Sequence, residues 1–366
     1  EKEPQTFLLE GITGSGKTEV YLRLTDRAVR AGQQVMVLVP EIALTGQIVR
    51  RFKAWFSDHV AVAHSKLSAN ERADVWERMR SGQARVLIGV RSAVFCPFEN
   101  LGLIIIDEEH EGTYKQETRP SYHARLVAQY RAHYRKVPVL LGSATPDLES
   151  YYYARKGKYT RLRLTQRAKS GSRLPQVSIV DMRAELQQGN RSVLSGELRE
   201  NWSRPIQHGE QAIVLLNRRG FSTFVLCRDC GEAITCPHCA VSLVYHAKDQ
   251  LLKCHYCGYT MPVPHTCPNC GSKRIKFFGT GTEKAEMEIQ ELCPGVHPIR
   301  MDQDSTSAKF AHERILRAFG KQEYNVLLGT QMVAKGHDIP NVTLVGILSA
   351  DAALNLPDFR SGERCF

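Results

Sequence analysis

Residues 11–18 read Gly-Ile-Thr-Gly-Ser-Gly-Lys-Thr, a glycine-rich octet that closes on Lys17 and Thr18. The pattern GxxxxGK[ST] suits the cradling of a nucleoside triphosphate. Glycines let successive backbone N–H groups turn toward phosphate oxygens, and the helix that follows adds the positive end of its dipole. Lys17 is expected to reach the β- and γ-phosphates and Thr18 to ligate Mg²⁺, so Gly11, Ile12, Thr13, Gly14, Ser15, Gly16, Lys17 and Thr18 are assigned to ATP and magnesium. Such a loop needs acidic partners. Asp107-Glu108-Glu109-His110 follows an isoleucine-rich run. Asp107 is placed to hold Mg²⁺, directly or through water, and Glu108 to orient and deprotonate the attacking water. Lys17, Asp107 and Glu108 are the expected catalytic set.

A second chemistry is written in cysteine. Of eleven cysteines, eight fall in four CxxC pairs: Cys227/Cys230, Cys236/Cys239, Cys254/Cys257 and Cys267/Cys270. Only Cys96, Cys293 and Cys365 lie outside. Thiolates at i and i+3 grip one side of a tetrahedral Zn²⁺ from a tight turn, and two such turns complete a site. Four pairs therefore imply two zincs, in closed sites that are structural and not catalytic. Glycine or alanine follows the second cysteine in CRDCGE, CPHCAV, CHYCGY and CPNCGS, which suits the turn. Iron–sulfur clusters use the same ligands but match short paired turns less well, and disulfides belong to oxidising compartments. Two pairings are open, nested and consecutive. Nesting is supported by the hairpin-like stretch AVSLVYHAKDQLLK (240–253) between the inner pairs. His238, His255 and His265 are surplus to eight thiolates and read as surface or DNA-facing residues.

These groups need a scaffold. The first 150 residues alternate short apolar runs with helical stretches: FLLEG (7–11), QVMVLVP (34–40), VAVAH (60–64), RVLIGV (85–90), LGLIIID (101–107) and VPVLLGS (137–143). Fully apolar strands separated by helices imply a parallel sheet covered on both faces. A helix is expected over 68–82, with Ser68 and Glu71 as a capping box. Residues 151–176 carry eight basic side chains from Arg155 to Arg173 and no acidic one, and read as a linker. A second alternating region follows, with strands expected at 176–181, 212–217, 297–302, 325–330 and 344–350 and helices at 282–293 and 306–319. The cysteine stretch, 224–275, interrupts that rhythm as an insertion. The pairs themselves are the only internal repeat visible.

The chain has 366 residues, 42% apolar and 24% charged, enough for two or three domains. No apolar run approaches the roughly 20 residues that span a bilayer. Glu1 begins a charged stretch with no secretion signal, and clustered cysteine pairs suit a reducing compartment, so a cytoplasmic protein with no membrane partner is expected. The net charge of +11 favours a polyanionic partner.

Gly142-Ser143-Ala144-Thr145-Pro146 follows a strand, as the SAT motif does in superfamily 2 helicases, which the chain resembles. The match is closer still to the PriA family of bacterial primosomal helicases, also called primosomal protein N′. It rests on VPEIALTGQ (39–47), DEEHEGTYKQE (107–117), GSATPDLES (142–150), LLNRRGF (215–221), GTGTEK (279–284), RMDQDST (300–306), GTQMVAKGHDIPNV (329–342) and the four CxxC pairs after NRRGF. The resemblance implies two RecA-like α/β lobes with ATP between them: lobe 1 over 1–150, a linker over 151–176, and lobe 2 over 177–223 and 276–366, interrupted by the zinc module at 224–275. It implies an ATP-hydrolysing DNA helicase that moves 3′ to 5′, recognises stalled or abandoned replication forks and restarts replication through primosome assembly. The implied partners are single-stranded and forked DNA, ATP with Mg²⁺, other primosome proteins and single-stranded-DNA-binding protein; a monomer is expected.

Residues 112–122 resemble the family's aromatic-rich loop, which couples DNA to ATP. Tyr114 and Tyr122 would stack on bases, and Lys115 and Arg119 would meet phosphates. Ser143 and Thr145 would link nucleotide to strand separation, Arg218, Arg219 and Thr330 would contact DNA, and Gly336 and Asp338 would touch the nucleotide. The resemblance also implies nesting, with one zinc on Cys227, Cys230, Cys267 and Cys270 and the other on Cys236, Cys239, Cys254 and Cys257. Two departures stand out. Leu126 follows Tyr122-His-Ala-Arg125 where the family has aspartate. A QxxGRxGR segment bearing the arginine finger is absent, as are the adenine-reading glutamine motif and the family's terminal domains, so the chain reads as part of a longer protein with weak hydrolysis of its own. A zinc scaffold that does not hydrolyse ATP, and a different superfamily 2 translocase, are the rival readings.

Overall fold

The computed structural model describes residues 5–40, 47–168, 175–216, 223–239, 241–246, 249–278, 282–302, 305–306, 311–330, 333, 339–355 and 360–365. The chain divides into two compact units, Glu1–Pro175 and Gln176–Phe366.

In the first unit the order is β1 (Thr6–Gly11), α1 (Lys17–Arg30), β2 (Gln34–Leu38), α2 (Gln47–Phe56), β3 (Val60–Ala63), α3 (Ala69–Arg80), β4 (Val86–Gly89), β5 (Leu101–Asp107), β6 (Lys115–Gln116), β7 (Tyr122–His123), α4 (Ala124–Arg135), β8 (Val139–Ser143), α5 (Leu148–Arg155) and β9 (Thr160–Leu164). Seven strands form one parallel sheet in the order β3-β4-β2-β5-β8-β1-β9, while β6 and β7 pair as a small antiparallel hairpin. The apolar runs serve two cores at once. Leu8, Met36, Leu38, Leu87, Ile104, Ile106 and Leu141 fill one face. Leu9, Val35, Val37, Ile88, Ile105 and Leu140 fill the other. Burial on both faces is why these strands read apolar without alternation. The Ser68 capping box is formed: the Glu71 amide donates to Ser68 Oγ at 3.3 Å, and the Ser68 amide donates to the Glu71 carboxylate at 2.8 Å.

Two expectations need correction. Much of the stretch read as a linker belongs to the first unit. Residues 151–155 complete α5, and β9 adds a seventh strand, parallel to β1 with Leu9 opposite Leu162. The alternation Thr-Arg-Leu-Arg-Leu suits a half-buried edge strand, and Arg161 is neutralised by Glu10 at 2.7 Å. Basic composition had masked that period. The strand expected at 176–181 does not form: the segment carries no strand pairing, and Val177 and Ile179 are 78% and 94% exposed.

The second unit comprises α6 (Met182–Gln187), α7 (Gly196–Gln207), β10 (Gln211–Leu216), β11 (Thr223–Cys227), β12 (Val244–His246), β13 (Leu251–Lys253), β14 (Thr260–Pro262), β15 (Ile275–Phe278), α8 (Thr282–Leu292), β16 (Pro298–Met301), α9 (Ala311–Gly320), β17 (Val326–Gly329), β18 (Val342–Leu348) and α10 (Ser361–Cys365). Strands β16-β17-β10-β18 form a parallel sheet, and β14-β13-β12-β11-β15 form an antiparallel one. The second sheet is the expected insertion, with its own small core of Val225, Ile234, Leu243 and Leu252 beside Cys236 and Cys254.

The parallel sheet repeats the β3-β4-β2-β5 segment of the first unit. Gln34 at the start of β2 and Gln211 at the start of β10 are both buried, and each uses its amide in the same way. Gln34 Nε2 donates to the carbonyls of Met79 in α3 and Ala84 before β4, at 2.7 and 2.9 Å. Gln211 Nε2 donates to those of Phe319 in α9 and Tyr324 before β17, at 2.7 and 2.8 Å. Gly89 and Gly329 close the equivalent strands β4 and β17. A Cβ there would lie 2.3 Å from Ala93 Cβ and 2.2 Å from the Met301 carbonyl oxygen, respectively.

Candidate nucleotide-binding site and cysteine clusters

Strands β5, β8 and β1 are neighbours, with Asp107 and Leu9 both opposite Gly142 and Glu10 opposite Ser143. The glycine-rich loop, Asp107 and Ser143 therefore leave the sheet at one carboxyl edge, where open α/β sheets bind ligands. Gly14 and Gly16 have φ of 77° and 90°, a region that disfavours side chains. Gly16 is the N-cap of α1 and no side chain caps the helix, so its positive end faces the loop. Ile12, Thr13 and Gly14 are exposed and Thr18 is half-buried. Lys17 Nζ donates to the Gly11 carbonyl at 3.0 Å. A Cβ on Gly11 would meet Ser15 Oγ at 2.6 Å. Ser15 Oγ itself is buried and has no hydrogen-bond partner among the described residues. An orphaned hydroxyl, an uncapped helix end and a lysine over one loop are satisfied by phosphate oxygens, so the residues fit a nucleotide.

Two tyrosines hold Asp107. Tyr21 Oη donates to its Oδ1 at 2.8 Å, and Tyr114 Oη donates to its backbone carbonyl at 2.7 Å. Burial pushes the Asp107 carboxyl up, while the Tyr21 bond and the Lys17 charge pull it back toward ionisation. Sequence reasoning missed Tyr21. Its signal was position: it stands one helical turn after Lys17, on the same face of α1. Gly142 is part of the same fit, since a Cβ there would lie 1.8 Å from Tyr21 Oη. Tyr114, expected to stack on bases, is corrected by burial: it is 1% exposed and offers no ring face to a base.

Glu108 adopts φ of 46°, the left-handed region, which turns the acidic segment away from the strand. Its carboxylate stands 3.6 Å from His110 Nδ1, which in turn pairs with Ser143 Oγ at 2.7 Å. The Thr145 amide donates to the same hydroxyl at 3.0 Å. The structure thus brings Ser143 and Thr145 onto the acidic segment through His110, to which no role had been given. Glu109 is buried in a network that was also missed. Arg125 Nη1 and Ser150 Oγ each donate to its Oε2 at 2.8 Å, and the Asp147 amide donates to its Oε1 at 2.8 Å. Arg125 Nη2 reaches Glu149 at 3.0 Å. Arg125 is the arginine of Tyr122-His-Ala-Arg125, two residues beyond the β6–β7 hairpin.

That hairpin carries the expected DNA-contacting residues. Lys115 and Arg119 are exposed. Tyr122 is half-buried, edge-on to Phe95 at 4.9 Å with Arg91 6.0 Å over its ring. Arg91 Nη1 also donates to the Thr113 and Lys115 carbonyls, at 3.2 and 2.9 Å, bracing the hairpin against the sheet edge. In the second unit Thr330 is half-buried, its carbonyl accepting from the Val333 amide at 2.9 Å. Arg218, Arg219, Gly336 and Asp338 lie outside the described residues.

The cysteines form two clusters, Cys227, Cys230, Cys267 and Cys270, and Cys236, Cys239, Cys254 and Cys257, with all four sulfurs of each within 4.8 Å of one another. The pairing is nested. Sγ–Sγ separations are 3.6 Å for Cys227–Cys270, 3.7 Å for Cys230–Cys267 and 3.6 Å for Cys236–Cys257. A Zn–S bond of about 2.3 Å gives a tetrahedral edge of about 3.8 Å, whereas a disulfide needs about 2.05 Å. Both clusters therefore fit zinc. Gly231, Gly258 and Gly271, each just after a second cysteine, have φ of 82°, 75° and 73°. Their amides turn back to the carbonyls of Cys227, Cys254 and Cys267 at 2.9, 3.0 and 2.9 Å, which is why glycine closes these turns.

Among the described residues no helix is long and apolar enough to cross a membrane. Residues 2–152 match the DEAD/DEAH box helicase family, 236–262 the PriA DNA helicase Cys-rich region domain, and 271–360 the helicase conserved C-terminal domain. The replication restart protein PriA of Bacillus subtilis is 56% identical over 364 residues, covering 100% of this chain and 45% of the relative. That of Synechocystis is 48% identical over 368 residues, covering 98% and 44%. The chain thus spans about half the length of the curated relatives it matches. The solved structure of the DUF1998 helicase MrfA bound to DNA shares the fold, with a TM-score of 0.54 at 12% identity, over 94% of this chain and 42% of that one. With similarity over its whole length to about half of the restart proteins, two RecA-like parallel sheets and a nested eight-cysteine module within the second unit, the chain is strongly homologous to the PriA family.

Proposed function

We propose that the protein is an ATP-driven DNA helicase that moves 3′ to 5′ on single strands, recognises stalled or abandoned replication forks and starts replication restart by primosome assembly. The observation that carries this reading is the joining of Lys17, Asp107 and Glu108 at one sheet edge, with His110 linking Glu108 to Ser143. In this reading Asp107 and Thr18 hold magnesium, which neutralises phosphate charge, Lys17 draws the γ-phosphate, and Glu108 positions water. Lys115, Arg119 and Tyr122 engage DNA on the hairpin that leads through Arg125 to Glu109. Arg218, Arg219 and Thr330 meet DNA from the second lobe, and Gly336 and Asp338 complete the nucleotide site. The zinc module meets DNA and primosome partners, single-stranded-DNA-binding protein among the assembly, and the protein works as a monomer in the bacterial cytoplasm. A scaffold without hydrolysis is the less supported reading, because Lys17, Asp107 and Glu108 are all present. Residues 1–366 hold no QxxGRxGR segment, so alone they should hydrolyse ATP more slowly by about 10³–10⁵.

The test is ATP hydrolysis by the full-length protein with and without single-stranded DNA, beside Lys17→Ala. Strong stimulation by DNA that Lys17→Ala abolishes supports the motor. A folded, zinc-loaded protein with no hydrolysis supports the scaffold. Displacement of strands from substrates with 3′ or 5′ tails then decides polarity.

A further inference from the structure

Outside both cysteine clusters, two histidines of the module face each other. His246 ends β12, and His255 follows Cys254 in the next turn. Their Nε2 atoms are 3.1 Å apart, with ring centroids at 5.2 Å and planes inclined by 24°. His246 is half-buried and His255 exposed.

We propose that His246 and His255 form a third metal site, for a divalent transition ion of the zinc, nickel or copper class. Imidazole nitrogens bind such ions at about 2.0–2.1 Å, so two that share one ion stand about 2.9 Å apart at a right angle and about 3.3 Å apart at the tetrahedral angle. The observed separation falls inside that interval. The backbone on each side is fixed. His246 pairs with Leu251 across the β12–β13 ladder. His255 is flanked by Cys254, a member of the inner cluster, so the structural zinc expected there also sets the angle at which His255 is presented. Among the described residues no third ligand atom stands with the pair. Asp249 is the acidic residue nearest to His246 in sequence; its amide donates to the His246 carbonyl at 3.2 Å and its carboxylate pairs with Lys253. The ion is therefore held by two nitrogens, with its remaining positions open to water, to Asp249 once it leaves Lys253, or to an oxygen from outside. Neutral imidazole is the preferred ligand of this ion class, and calcium or magnesium, which take oxygen, should not compete.

An N–H···N hydrogen bond between neutral rings spans the same distance, so the experiment must separate the two. The two-zinc protein is titrated with Ni²⁺, and separately with Zn²⁺, in a non-chelating buffer by calorimetry. Retained structural zinc is counted by elemental analysis. One additional equivalent should bind, and His246→Ala and His255→Ala should each weaken it at least tenfold while two zincs remain. Magnesium at millimolar concentration should not displace it. If His255→Ala loses structural zinc, His246→Ala, which lies outside the knuckle, decides alone. No additional equivalent, or binding that His246→Ala leaves unchanged, overturns the proposal and leaves the pair as a hydrogen bond, with any bound ion held by other histidines.

Discussion

Asp107 is the magnesium ligand of the proposed nucleotide site, and a phenol is the strongest of the groups that favour its ionisation. Burial disfavours its charge, and the Tyr21 hydrogen bond at 2.8 Å works against that. Tyr21→Phe removes the donor and leaves the ring in place. A hydrogen bond to a charged group contributes about 1.5–3 kcal/mol. In the full-length protein the acid limb of the ATPase pH profile should therefore move to higher pH, and kcat should drop about tenfold near neutrality. An unchanged acid limb would mean that Asp107 draws its ionisation from Lys17 and the Glu108 backbone instead. Glu109 and Arg125 make a second, sharper case. With Arg125 replaced by Met, Glu109 is left buried beside Ser150 without its cation, which costs about 3–5 kcal/mol. Chemical denaturation should show that loss, and adding Glu109→Gln should recover part of it. A double variant no more stable than Arg125→Met alone would show that the loss comes from Asp147, Glu149 and packing instead.

At the scale of elements, what the sequence made legible was what local pattern dictates. Apolar runs predicted the strands of the first sheet, Ser68 and Glu71 predicted the start of α3, and CxxC spacing predicted the clusters. What stayed hidden depends on partners far along the chain. Nothing in Thr160–Leu164 says that it pairs with β1, because its neighbour is some 150 residues away. Gln34 and Gln211 are isolated glutamines in sequence, and only the sheets reveal that they clamp equivalent helix ends. Tyr114 was misread because an aromatic in a polar loop looks exposed until Asp107 claims its hydroxyl. The hairpin-to-α4 junction shows a further effect of tertiary context. His123 is the N-cap of α4, its Nδ1 accepting from the Arg125 amide at 3.3 Å. Burial, then the Arg125 charge, hold His123 down to about 4. An unfolded histidine titrates near 6.5. Above that pH both states are neutral. As pH falls toward 4 the unfolded chain takes the proton first, so the stability contributed by neutral His123 is lost over this window. His123→Asn, which caps without titrating, should flatten the fall in melting temperature between pH 7 and 4 relative to the parent. Parallel curves would show that the loss lies in carboxylates elsewhere.

The molecule as a whole joins parallel sheets that carry large apolar cores to a module that has almost none. Of the six buried residues in the module's core, Cys236 and Cys254 are themselves members of the inner cluster that fits zinc. Each structural zinc can contribute on the order of 10 kcal/mol to folding, comparable to the stability of a whole domain. The module should therefore fold only with metal, whereas β10, β16, β17 and β18 bond to one another and not to it. Nesting adds an asymmetry that consecutive pairing would not. The outer cluster joins β11 to the turn before β15, where the chain enters and leaves, and the inner cluster lies within the loop it closes. Cys227→Ser should open the outer closure and release protection across β11–β15. Cys236→Ser should expose chiefly the segment from Ile234 to Met261, with β11 and β15 still paired. Hydrogen exchange on the two variants, with zinc counted in each, measures this directly. Each variant should keep one zinc or fewer, while exchange in β1, β2, β5 and β8 stays as slow as in the parent. Equal, local losses around both substituted cysteines would mean that the two zincs act as independent staples, and that the antiparallel sheet, not the outer cluster, holds the module to the second lobe.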